Sequence, residues 1–260
     1  MAEKKIFLIF AVSFLISSIF YLTFSDLTII GNFLFIFFSL LPVLIGTKVL
    51  RSLGQKSDEK LFWSLFVIGC LCFCIAETTW AYYEIINEEA PYPGIADIFY
   101  ITGYPFVLIF ILSYIFAKPF SKKAVLTTLF LFLLFLIICF FLELYDLFVS
   151  EEPFINKIVS SLYVIYDLVI FSFGLYPTLT SKVRNERLQW LMITIGFFLF
   201  MIADVLFSFV EQHTGYKVGN LLDLFYFAGY ISLAAGAIYK LAFEKESKKS
   251  DKNKTDRIQN

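Results

Sequence analysis

Long apolar runs separated by short polar breaks make up this chain. Eight runs are long enough to cross a bilayer, at residues 6–24, 28–50, 61–87, 95–117, 123–145, 154–180, 187–213 and 218–243. About 20 residues at 1.5 Å each cover a hydrocarbon core roughly 30 Å thick. None of the runs alternates polar and apolar residues with period two, so the pattern predicts an all-α membrane protein of eight helices and not a barrel. The breaks are short, which predicts that successive helices are antiparallel neighbours. The first run follows Lys4 and Lys5 as the core of a signal peptide would. Its apolar stretch exceeds the usual ~7–15 residues and no A-x-A-like site follows, so it reads as the first span.

One stretch occurs twice. Residues 75–104 read IAETTWAYYEIINEEAPYPGIADIFYITGY, and residues 202–230 read IADVLFSFVEQHTGYKVGNLLDLFYFAGY. Each holds the end of one apolar helix, a polar turn and the start of the next. The matched positions are Ala76/Ala203, Glu77/Asp204, Glu84/Glu211, Asp97/Asp223, Phe99/Phe225, Tyr100/Tyr226, Gly103/Gly229 and Tyr104/Tyr230. The match extends upstream. Residues 29–42 align with 164–177, pairing Asn32/Asp167 and Pro42/Pro177, and 61–76 align with 188–203, pairing Trp63/Trp190 and Gly69/Gly196. Apolar helices resemble one another by chance, so the polar, glycine and tryptophan matches carry the weight. They predict two four-helix repeats, 1–117 and 118–243. An even number of helices in each gives both halves one orientation, related by an axis along the membrane normal. Residues 244–260 are polar, lack aromatics and are expected to be a disordered tail.

Composition supports a membrane class. The chain is 59% hydrophobic and 20% aromatic, against roughly 45–50% apolar in soluble domains. Charge adds an orientation. Nineteen of the 21 basic residues fall on one side of the expected helices, and only Lys157 and Lys217 on the other. Basic loops stay cytoplasmic, so both termini are expected inside the plasma membrane, with an acidic face outside. The net charge of −1 gives no sign of a nucleic-acid partner; the expected surroundings are the lipid bilayer. The four cysteines lie within apolar runs without a C-x-x-C pair, and His213 is the lone histidine, so neither haem nor a metal is expected. No lysine stands in the middle of the last run, which argues against a retinal Schiff base. There is no phosphate loop, nucleophile elbow or H-E-x-x-H, and no cofactor is expected.

The chemistry that stands out is acidic. Glu77, Trp80 and Glu84 share one face of the third helix, and Asp204, Phe207 and Glu211 repeat that face in the seventh. Asp97, Tyr100 and Tyr104 form a stripe on the fourth, repeated by Asp223, Tyr226 and Tyr230 on the eighth. Helical rise sets the depth of each. It places Glu77 near Tyr104 and Asp204 near Tyr230, each within its own hairpin, with the outer acids crowded together. A purely structural account exists for several of these residues. Asp97 and Asp223 sit where a capping residue reaches back to the helix start. Glu84 and Glu211 lie where water would solvate them. Glu77 and Asp204 are harder to explain without a function, because an intramembrane carboxylate costs about 2.5–3.5 kcal/mol at a helix centre. Asp167 lies deep in the sixth helix opposite Asn32, as a proton or coupling site or as a neutral hydrogen-bonded residue.

The segment W-A-Y-Y-E, followed by P-Y-P-G-I-A-D-I-F-Y-I-T-G-Y-P at 91–105, resembles the multi-span sensory regions that precede histidine kinase or diguanylate cyclase modules in prokaryotes. It is similar also to stand-alone archaeal and bacterial membrane proteins. The resemblance covers about thirty residues and brings neither ligand nor catalytic residues. It implies a non-enzymatic, sensor-like module. The expected pocket is outward-facing, acidic and tyrosine-lined, takes a cation, proton or small amine, and signals to a separate cytoplasmic partner. A small secondary transporter with Asp167 and Asn32 as coupling groups is the alternative, and an intramembrane lipid hydrolase using paired carboxylates is a third.

Overall fold

The computed structural model describes residues 2–23, 28–54, 57–88, 90–117, 120–151 and 153–259. Every regular element among them is helical: α1 (Ala2–Thr23), α2 (Thr28–Ser52), α3 (Asp58–Ile86), α4 (Ile95–Ala117), α5 (Lys122–Cys139), α6 (Tyr145–Val149), α7 (Phe154–Thr180), α8 (Arg184–Thr214) and α9 (Asp223–Gln259). A π turn, Phe140–Leu144, joins α5 to α6. Its wide i→i+5 geometry brings Cys139 and Leu144 to the same buried side.

Seven segments are long and apolar enough to cross a membrane, the α5–α6 pair counting as one. The remaining helix, α1, contributes a shorter apolar stretch, Ala11–Tyr21. The outer surface is apolar too, with side chains such as Phe33, Phe116, Phe130 and Phe154 exposed. These features mark a multi-pass membrane protein. Pro42 and Pro177 lie inside α2 and α7, and both helices run on through them unbroken.

Six helices form a closed ring in the order α2, α3, α4, α7, α8, α9 and back to α2. Four successive pairs, α2–α3, α3–α4, α7–α8 and α8–α9, pack as expected, but α1 does not pack chiefly on α2 nor α5 on α4, and the ring is closed by α4 against α7 and α9 against α2, pairs remote in sequence. Two helices stay outside: α1 rests chiefly on α9 and α5 on α7.

Glycines set the closest approaches. A Cβ on Gly69 would meet the Gly103 carbonyl at 3.0 Å, and one on Gly196 would meet the Gly229 carbonyl at 3.1 Å. Small residues let membrane helices approach until their backbones touch. Into the notches left by Gly103 and Gly229 fit the rings of Phe73 and Phe200. The core is correspondingly aromatic. At the end of the bundle opposite the α3–α4 and α8–α9 turns, the Trp190 ring lies 5.3 Å from Phe110 and 4.6 Å from Tyr114.

That end also holds a polar cluster. Trp63 Nε1 donates to Tyr114 Oη at 3.0 Å, and Tyr114 donates to Glu59 at 3.3 Å. Lys240, only 2% exposed, lies 2.8 Å from both Glu59 and Glu244. Sequence alone counts Lys240 among the basic residues of one side; the structure buries it on α9 against Glu59 of α3. The tail expected to be disordered is instead helical, α9 continuing to Gln259. No glycine or proline follows Gly236 to stop the helix, and the Lys240–Glu244 pair supports it at i,i+4 spacing.

Candidate functional site

The turns 90–94 and 215–222 sit together at one end of the ring, and a cavity opens beneath them. It measures about 760 Å³ including its mouth, and every ring helix contributes to its wall. Twelve of its eighteen lining side chains are aromatic, three are carboxyls and none is basic.

Each acid is placed by its own helix and by a hydroxyl from elsewhere. Glu77, on the inner face of α3, accepts from Tyr230 of α9 at 2.6 Å, and the Tyr100 hydroxyl of α4 faces it as well. Asp204 of α8 accepts from Tyr226 of α9 at 2.5 Å and from Tyr104 of α4 at 3.4 Å. The expected pairs, Glu77 with Tyr104 and Asp204 with Tyr230, are therefore exchanged. The shallower tyrosine of each stripe serves the acid of its own hairpin, and the deeper one crosses the ring to the other. Helical rise gives depth but not the direction in which a side chain leaves the helix, so sequence reasoning found the level and missed the partner.

Matched aromatic positions meet edge to face across the same space. Phe73 and Phe200 lie 6.4 Å apart, and Trp80 and Phe207 6.1 Å. Phe207 also lies 4.9 Å from Tyr216 and 5.1 Å from Tyr92. Both tyrosines come from the turns and narrow the mouth.

Asp97 caps its helix and also reaches the next one. Its Oδ2 accepts from the Gly94 N–H at 2.6 Å, as a capping residue does, and its Oδ1 accepts from Tyr163 of α7 at 2.5 Å. Asp223 does not line the cavity. It accepts from the Gly219 N–H at 2.8 Å, from Tyr216 at 2.8 Å and from Tyr21 of α1 at 3.0 Å. Gly219, at φ 111°, adopts the backbone conformation that lets its N–H point there. Burial, and secondarily the Asp223 carboxylate, push the Tyr216 phenol well above its ordinary range, which keeps the hydroxyl a donor.

Glu84 and Glu211 were expected in solvent or on the ligand, and neither lines the cavity. Glu84 is buried, accepting from Asn32 Nδ2 at 2.7 Å and from the Val218 N–H at 2.9 Å, so it ties the second turn to α2 and α3. Glu211 is half-buried and accepts from the Tyr216 N–H at 2.7 Å. These two acids and Asp223 hold the turns in place over the cavity. Asn32 and Asp167 do not share a level. Asn32 is bonded to Glu84, near the turn end of the bundle. Asp167 lies beside Asp204 and Tyr104, about 10 Å deeper by the seven-residue rise from Glu211 to Asp204. Asp167 is fully buried, and neither of its oxygens has a hydrogen-bond partner. Trp80 Nε1 is likewise buried without an acceptor.

Tyr163, Tyr216, Tyr21 and Tyr92 complete the site and were not singled out by sequence for these roles. All four lie outside the duplicated tyrosine stripes, so repetition gave no signal for them. His213 is exposed and stacks on Phe209 at 4.3 Å, away from the cavity. Among the described residues no three His, Cys, Asp or Glu side chains group closely enough to hold a metal. No family model, curated protein or solved structure matches the chain.

Proposed function

We propose that the protein is a non-enzymatic, sensor-like membrane module built from two four-helix halves of the same orientation, with a cavity for a small cationic ligand on their shared axis. The observation that carries this reading is the crossed pairing of Glu77 with Tyr230 and Asp204 with Tyr104, which makes one cavity depend on both halves. Equivalent helix contacts support the repeat, since α2 on α9 corresponds to α7 on α4. So do the glycine notches at Gly103 and Gly229, each filled by a matched phenylalanine. A wall with three carboxyls and no base favours positive charge. Occupancy would shift α4 and α9 together through their tyrosines, and α9 runs from the cavity to the Lys240 cluster. A separate partner at that end would receive the signal.

A ligand screen by thermal shift in detergent, across pH, cations and small amines, tests the reading. Glu77→Gln with Asp204→Asn keeps an acceptor for each tyrosine and removes the charge. A stabilising response in the wild type that the double variant loses is the expected result. The same response in both proteins would show that the cavity acids play no part.

The 19-to-2 basic asymmetry orients the cavity toward the exterior. With the four native cysteines replaced, single cysteines at Glu88 and Thr214 are expected to react with an impermeant maleimide on intact cells. A cysteine at Arg184 is expected to react only after permeabilisation. Labelling of Arg184 from outside would reverse the orientation and remove the exterior ligand.

A further inference from the structure

We infer that the cavity selects a methylated ammonium, a cation without N–H donors, over metal ions and primary amines. This rests on the cationic-ligand reading above and narrows its chemistry. Charge comes first. Glu77, Asp97 and Asp204 line the cavity, and the fully buried Asp167 lies beside Asp204 and Tyr104. No basic side chain lines the wall to offset them. Any negative charge carried by these carboxyls has no cation of the protein's own beside it, so a bound cation would be what balances it.

The kind of cation follows from how the acids are already engaged. Both oxygens of Asp97 are taken, by Tyr163 and the Gly94 N–H. Both oxygens of Asp204 face phenols, Tyr226 and Tyr104. Glu77 accepts from Tyr230, with Tyr100 facing it. A primary ammonium has three N–H donors to satisfy and finds few free acceptors here. A hard metal ion needs several oxygen ligands converging on it, whereas these oxygens are spread over separate helices and turned to phenols. A methylated ammonium requires neither. It gains from the long-range field of the carboxyls and from aromatic faces, the recognition used wherever quaternary ammonium groups are caged by rings. The rings are present in the right density. Trp80, Phe207 and Tyr216 pack on one another at centroid separations of 6.1, 4.9 and 5.9 Å, so they form a single aromatic wall that a ligand would meet from the cavity side. Phe73 and Phe200 close the space below. The phenols in this arrangement turn their hydroxyls to the acids, which leaves ring carbon for the ligand.

The test uses the full chain in detergent, with isothermal titration and thermal shift read in parallel. The probes are choline, tetramethylammonium, the uncharged isostere 3,3-dimethylbutan-1-ol, ethylamine, sodium and calcium. Choline and tetramethylammonium are expected to bind and raise Tm, the uncharged isostere to do neither, and ethylamine to bind at least tenfold more weakly. Trp80→Leu is expected to weaken choline roughly tenfold, and Trp80→Phe by a smaller factor. The conservative variant retains a ring and guards against a Leu variant that does not fold. Equal binding of choline and its uncharged isostere would overturn the inference, and so would a choline affinity unmoved by Trp80→Leu in a folded protein. Stabilisation by calcium, sodium or ethylamine alone, lost in Glu77→Gln/Asp204→Asn, would sink the methylated-ammonium inference while leaving the cationic cavity standing. No Glu77- and Asp204-dependent response to any probe would remove both.

Discussion

Lys240→Met is expected to destabilise the protein by about 2–4 kcal/mol. Lys240 is 2% exposed and lies 2.8 Å from both Glu59 and Glu244. Removing one member of a fully buried ion pair costs roughly 3–5 kcal/mol because the remaining charge loses its partner. Here the figure is smaller, since Glu59 keeps 38% of its side-chain exposure and water screens it in part. Methionine matches the lysine stem in length, so packing is largely preserved and the loss reports charge. Adding Glu59→Gln and Glu244→Gln to Lys240→Met removes the stranded carboxylates and is expected to recover more than half of the loss. Unfolding in detergent, followed by helical circular dichroism, measures both steps. A loss below about 1 kcal/mol for the single variant would mean that Lys240 behaves as an ordinary surface cation.

Gly103→Ala and Gly229→Ala are each expected to cost about 1–3 kcal/mol, and together about 2–6 kcal/mol. A Cβ on Gly229 would come within 2.3 Å of the Phe200 ring, and one on Gly103 within 2.6 Å of the Phe73 ring. Neither ring can simply turn aside. Phe200 is packed 4.9 Å from Tyr230 and Phe73 5.2 Å from Tyr104, so displacing either disturbs a tyrosine that holds an acid of the other hairpin. Under the proposed function the double variant should therefore lose ligand-dependent stabilisation as well as stability. Trimming the rings in the same background, with Phe73→Leu and Phe200→Leu, should restore part of the stability without restoring the response. Unchanged thermal midpoints in both glycine variants would show that the α3–α4 and α8–α9 packing is loose, contrary to the distances.

The link between packing and site explains what could be read from residues alone. Span lengths, the all-helical class and the match of Gly69/Gly103 with Gly196/Gly229 are local properties. A run of apolar residues must satisfy its backbone internally in lipid, and a helix does so within its own segment. The acids were legible for the same reason, because an ionisable residue inside an apolar run stands out whatever surrounds it. Trp80 and Phe207 were placed on the acid face by their i+3 spacing, and they do line the cavity.

Other features depend on which helices become neighbours, and no local pattern carries that information. Glu84 looked solvated because it is one turn from the end of its helix; it is buried only because the turn at 215–222 folds across and presents the Val218 N–H. Tyr104 and Tyr230 have the depth expected of them, yet each serves an acid of the other hairpin, because α4 packs on α7 and α9 on α2 to close the ring. Lys240 reads as a basic flank until Glu59, 181 residues away in the chain, is brought against it. Asn32 and Asp167 align in sequence but separate in depth, because α7 begins at Phe154, well before the position matching the start of α2 at Thr28. Periodicity and hydropathy determine which residues enter the membrane and how deep they lie. The direction each side chain faces, and the partner it finds there, is decided by long-range helix packing, where one rotation about a helix axis exchanges an acid's neighbour without altering its depth.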